Sequence, residues 1–120
     1  MEPALYAIVL ALLLTHQIDS AYWKEWELLH IPGGPQLNLG LNFGLIIVGL
    51  AGFALVIDGS TAGHVMSLLV AAAGVLACAI HGHFIAHGDE RFRLPASIAV
   101  LVATLPASIA LAAVVAIVAI

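Results

Sequence analysis

The chain has 120 residues, 63% of them hydrophobic and only 8% charged, with a mean hydropathy of +1.16. A soluble domain this short could not cover so much apolar surface with so little charge, which makes lipid the expected solvent. Three basic residues against a formal charge of -4 argue against a nucleic-acid partner, and the lone Cys78, set in an apolar run, excludes an intrachain disulfide.

The first predicted helix covers about residues 3–30, with Pro3 suited to a first turn. Met1-Glu2-Pro3 lacks the basic region of a cleavable signal, so none is expected. The purely apolar part, Ala4 to Leu14, is too short for a hydrocarbon core that needs about 20 residues. The helix spans only if Thr15 to Ala21 also lies in the membrane. His16 and Asp19 then sit near the exit interface, with Tyr22, Trp23 and Trp26 as an aromatic belt. Ile31-Pro32-Gly33-Gly34-Pro35 breaks the helix.

The second helix is expected over about 37–57, ending at Asp58-Gly59-Ser60. Gly40 and Gly44 form a small-xxx-small step there. Asn38 and Asn42, one turn apart, carry amides that seek partners on a neighbouring helix. The third runs over about 61–87 and closes at Gly88-Asp89-Glu90-Arg91. The fourth fills about 94–120, with Pro106 inside it. Leu94-Pro-Ala-Ser-Ile-Ala99 recurs there as Leu105-Pro-Ala-Ser-Ile-Ala110, an offset of eleven residues that puts both copies on one face. The fold class expected is an all-α, up-down-up-down four-helix bundle in the membrane.

Lys24, Arg91 and Arg93 all fall on the side reached after the first and third helices, whereas Glu2 and Asp58 mark the other side. The positive-inside rule then predicts cytoplasmic polar clusters and both chain ends outside.

Five of the six histidines and most charges gather in two segments, Thr15 to His30 and His81 to Glu90. Residues three or four apart share a helix face. His16, Asp19, Ser20, Trp23 and Glu27 therefore form one stripe if the first helix continues past the interface. His83 and His87 form a pair, while His81 points roughly the other way. Counted from the opposite interface, His16 lies about 20 Å and His83 about 28 Å along their helices, so the two pairs can meet near the inner boundary. His16, Asp19, His83 and His87 are the candidate metal ligands, for zinc or non-haem iron. Glu25 and Glu27 are candidates for a general base or an outer acceptor. The alternative for His83 and His87 is an interfacial pair bonded to headgroups, water or loop carbonyls. His64, on the opposite membrane face, is expected to be a water-exposed helix-start residue.

Thr15-His16-Gln17-Ile18-Asp19 followed by Glu25-Trp26, with His83 and His87 late in the third helix, resembles an uncharacterised family of small bacterial four-helix membrane proteins. That pattern has a His-Glu-x-Asp core where this chain reads His16-Gln17-Ile18-Asp19, so the intervening carboxylate is missing here. The resemblance implies the four-helix architecture and a bacterial cytoplasmic membrane, draws attention to His16, Asp19, Glu25, His83 and His87, and implies no reaction. Three functions stay open: a metal-dependent membrane enzyme or redox protein, an accessory subunit of a homo-oligomer or larger membrane complex, and a haem or pigment carrier using two axial histidines. Ion transport is disfavoured, because four thin helices leave little room for a pathway.

Overall fold

A computed structural model describes residues 1–88 and 94–119. It consists of α1 (Glu2–Tyr22), α2 (Glu25–Leu28), α3 (Gly34–Ile57), α4 (Thr61–Ala86) and α5 (Pro95–Ala119). The all-α bundle expected from hydropathy is observed. The four long helices have 21, 24, 26 and 25 residues and are apolar enough to cross a membrane. At about 1.5 Å per residue each is long enough for a hydrocarbon core of about 30 Å. The longest dimension of the molecule is 42 Å, close to a bilayer including its headgroups.

Local chemistry sets the boundaries. Pro3 occupies the first turn of α1, where its missing N–H costs nothing. Ser60 caps α4, its hydroxyl accepting from Gly63 N at 3.1 Å. Glycines with positive φ, Gly33, Gly34, Gly59 and Gly88, mark the turns. Pro106 lies inside α5 and deprives one turn of a backbone donor, which the helix tolerates.

The first helix departs from expectation. It stops at Tyr22, and Lys24 adopts a left-handed backbone with φ of 54°. That reversal redirects the chain at the interface, so the one-turn helix α2 is separate, and the stripe expected to run on to Glu27 is cut.

The helices are not arranged as a square. α1 and α4 run in the same direction and touch; α5 packs extensively against both from one side and α3 against both from the other. Among the described residues α3 and α5 do not meet. The buried positions repeat every seven residues with steps of three and four. On α1 they are Glu2, Tyr6, Val9, His16 and Ser20. On α4 they are Gly63, Ser67, Val70, Gly74 and His81, with Ala71 alone off register, and on α5 Ser97, Thr104, Ser108, Leu111 and Val115. This 3.5-residue period is that of knobs-into-holes packing. Ser97 and Ser108, the serines of the two repeat copies, are both buried, as the eleven-residue offset requires.

Small residues allow the close approaches. A Cβ on Gly63 would collide with the backbone of Leu55 and Val56, and one on Gly74 with Ser108 Oγ. On α3 the buried positions, Gly49, Gly52 and Val56, all lie in its C-terminal half. The N-terminal half stands away from the bundle and leaves a wedge between α1, α3 and α4.

Candidate functional site

The packing register carries two polar residues to equivalent depths on the parallel helices α1 and α4. His16 and His81, 3% and 4% exposed, meet with ring centroids 4.9 Å apart and planes at 69°. From beneath, α2 brings Glu25 to within 3.3 Å of His81 Nε2. From the α5 side, Thr104 Oγ1 lies 3.2 Å from His16 Nε2.

Hydrogen-bond logic fixes one nitrogen of each ring. Thr104 Oγ1 donates its only proton to the Val100 carbonyl at 2.6 Å, so it accepts from His16 and Nε2 of His16 carries hydrogen. The Glu25 carboxylate is an acceptor, so His81 donates through Nε2. In neutral His16 the basic position is therefore Nδ1.

Burial pushes the Glu25 carboxyl up. The hydrogen bond from His81, the adjacent Ser20 hydroxyl and the positive charge available on His81 and His16 outweigh that and hold it below the usual carboxylate range. Ser20, 6% exposed, lies beside this carboxylate, but its Oγ makes no contact of full hydrogen-bonding geometry. Trp23 Nε1 is likewise buried without a partner.

Two cavities meet at this cluster. One, of about 390 Å³, lies in the wedge between α1, α3 and α4 and is walled by side chains such as Leu13, Val48, Met66, Leu69 and Leu76; its inner end is formed by His16, Gln17, Glu25 and His81. The other, of about 540 Å³, lies between α2 and the start of α3, with Ser20 and Trp26 in its wall. Gln17 and Glu25 line both. Gln17 Nε2 donates to Asn42 Oδ1 at 2.8 Å, tying α1 to the outlying half of α3.

The expected metal constellation is not assembled. Among the described residues no three His, Cys, Asp or Glu side chains form a group able to hold a metal ion. His83 lies two residues beyond the inward-facing His81, which turns it about 200° around the helix, and both His83 and His87 are exposed. They stack on each other with centroids 4.1 Å apart, and His87 Nδ1 donates to the His83 carbonyl at 2.8 Å. Asp19 is half-buried and lines a separate cavity between α1 and α5. Glu27 is exposed on α2. Thus His16 and Glu25 come together, and Asp19, Glu27, His83 and His87 do not join them.

The residue that sequence reasoning set aside, His81, completes the cluster. The clue was the small-residue face of α4: Ser67, Gly74 and His81 are seven residues apart. The segment with Asp89, Glu90, Arg91 and Arg93 lies outside the described residues.

His64 also differs from expectation. Its Nδ1 lies 3.0 Å from a Glu2 carboxylate oxygen, and Ser67 donates to Glu2 at 2.7 Å. The Glu2–Ser67 and His16–His81 rungs are thus each fourteen residues apart along both helices, about 21 Å, one near each end of the bundle.

The residues present do not fit haem either: rings 4.9 Å and 4.1 Å apart leave no room for a macrocycle between two axial nitrogens. The model of a family of unknown function, DUF6713, matches residues 2–118, so the chain belongs to that family. No curated protein and no solved structure matches it.

Proposed function

We infer that this member of DUF6713 is an integral membrane protein whose inner polar end is an acid–base centre. His16 takes up and returns a proton at Nδ1, and the hydrogen-bonded pair of His81 and Glu25 beside it sets its affinity. The observation that carries this reading is the buried His16–His81–Glu25 cluster at the end of a cavity between the spans. A structural strut needs one imidazole on one carboxylate; here a second imidazole, held by Thr104, stands edge-on to the first. One carboxylate offsets one imidazolium, so a proton on each ring would leave charge uncompensated. Such a centre is suited to passing a proton to or from a molecule held in the cavity. By the position of Lys24 it faces the cytoplasm.

Histidine-selective ¹⁵N NMR in lipid nanodiscs tests the reading. Changing the pH is expected to change the signals of the buried imidazoles, and Glu25→Gln is expected to alter that response. Imidazole signals that stay constant, or that respond indifferently to Glu25, would show the cluster to be a strut.

A subunit role has its own support. Gly40 and Gly44 have open space where a Cβ would be, and Leu37, Leu39, Leu41 and Phe43 beside them are exposed. This uncovered half of α3 suits another transmembrane helix. Gly44→Cys disulfide trapping between copies tests it; monomer alone under oxidation would count against self-association.

A further inference from the structure

His83 and His87 take no part in the buried cluster. They stand one turn apart at the end of α4, both exposed, with ring centroids 4.1 Å apart and planes tilted by 35°. A spacing of four residues is the one by which a helix offers two imidazoles to a single metal ion. With a metal–nitrogen bond of about 2.1 Å, two rings on one ion hold their centroids about 4.5–5 Å apart. The observed separation of 4.1 Å is short of that by less than about 1 Å, which the broad χ2 rotation of exposed imidazoles covers.

The hydrogen bonding of His87 prepares it as a ligand. Its Nδ1 donates to the His83 carbonyl at 2.8 Å, so the lone pair of the neutral ring lies on Nε2. That carbonyl already accepts the His87 backbone N–H at 3.1 Å, and the helix end does not need the ring as a cap. What the side-chain bond does is fix the tautomer and the direction of the ring. The outer hydrogen bond of a metal-ligating histidine does the same.

The donor set selects the ion. Among the described residues no carboxylate or thiolate joins the pair. Calcium and magnesium, which seek oxygen, therefore find no match, whereas imidazole nitrogen suits copper, nickel and zinc. Two donors impose little geometry, so affinity should follow the intrinsic order of the divalent ions, with copper tightest.

We propose that His83 and His87 form a two-imidazole chelate for one divalent transition-metal ion, with water completing its coordination. The chelate keeps two of the four ligands expected from sequence. It is distinct from the His16–His81–Glu25 cluster and needs nothing from it.

The test titrates copper(II) into the full chain in phosphatidylcholine nanodiscs, in a non-chelating buffer at neutral pH, and follows it by electron paramagnetic resonance. One equivalent per chain is expected to bind, its spectrum carrying the splitting of two imidazole nitrogens. His83→Gln and His87→Gln are each expected to weaken binding at least about tenfold, because either one removes the intramolecular second bond. His30→Gln, a change at another exposed histidine, is expected to leave it unchanged. Nickel(II) is expected to bind more weakly than copper(II), and calcium not to compete. The nitrogen count is read on the unmodified chain and so does not depend on how the variants fold. A copper signal split by a single nitrogen would overturn the assignment. So would an affinity that both single substitutions leave unchanged, or one that falls with His30→Gln instead.

Discussion

Glu25 holds a charge at the edge of a bundle that excludes charge almost everywhere else, and the His81 hydrogen bond is what makes that tolerable. The carboxyl is held below its usual range in the folded state, against about 4.3 for an unperturbed glutamate. A depressed carboxyl stabilises the fold above the unfolded value, and its contribution is lost as pH falls through the folded value. Thermal unfolding in detergent should therefore show an acid limb below about pH 4 that Glu25→Gln lacks. At neutral pH the same substitution is expected to cost about 1.5–3 kcal/mol, the range for hydrogen bonds to charged groups. The histidines divide in the same way. His81→Ala removes a buried donor and is expected to destabilise by a similar amount, whereas His83→Ala and His87→Ala change exposed positions and should stay within about 0.5 kcal/mol. Equal losses at all three positions would contradict the placement of His81 inside. Metal analysis of the purified protein, compared with the His83→Ala variant, is expected to find no stoichiometric zinc or iron held by His16, because Glu25 is engaged by His81 Nε2 and, among the described residues, no three His, Cys, Asp or Glu side chains form a group able to hold a metal ion.

Helix existence and order were legible because each span is long, apolar and bounded by glycine, proline or a polar turn. The phase of those helices was much less so. In a soluble bundle the apolar stripe marks the interior, but in lipid both faces are apolar, and only small or polar residues recurring at 3.5-residue spacing distinguish them. Reading His83 and His87 as inward therefore rested on their mutual spacing alone. The register of Ser67, Gly74 and His81 places them outside. The redirection at Lys24, which swings Glu25 under His81, had no local sign, since a left-handed lysine is held by its surroundings. The close contacts of α4 make the register testable. Gly63→Leu drives a side chain into the α3 backbone and Gly74→Leu drives one into Ser108. Each is expected to cost at least about 1–3 kcal/mol by overpacking, read as lost thermal stability in detergent. Gly40→Leu meets open space and is expected to leave the isolated chain's stability unchanged. A Gly40→Leu loss as large as the Gly63→Leu loss would place the outlying half of α3 inside a tighter assembly.

The molecule is polar at both ends of its α1–α4 pair, with Glu2, His64 and Ser67 at one and His16, His81 and Glu25 at the other. Between them Val9, Val70, Leu111 and Val115 form a closed apolar core. Among the described residues this core lies between the two polar ends, so the side of the membrane that the inner cluster faces follows from orientation. Lys24, beside the centre, is the basic side chain among the described residues, and the side with Glu2 and Asp58 carries none. The asymmetry therefore predicts the centre on the cytoplasmic side and the α3–α4 turn outside. In a Cys78→Ser background, an impermeant maleimide applied to intact cells is expected to label Ser60→Cys, on that turn, and to reach Gln36→Cys, at the start of α3, only after lysis. Lys24→Glu removes the cue next to the first span and is expected to shift part of the population to the reverse labelling. Gln36→Cys labelled from outside in the otherwise unchanged chain would turn the acid–base centre toward the external compartment, and the proton exchanged there would come from outside the cell.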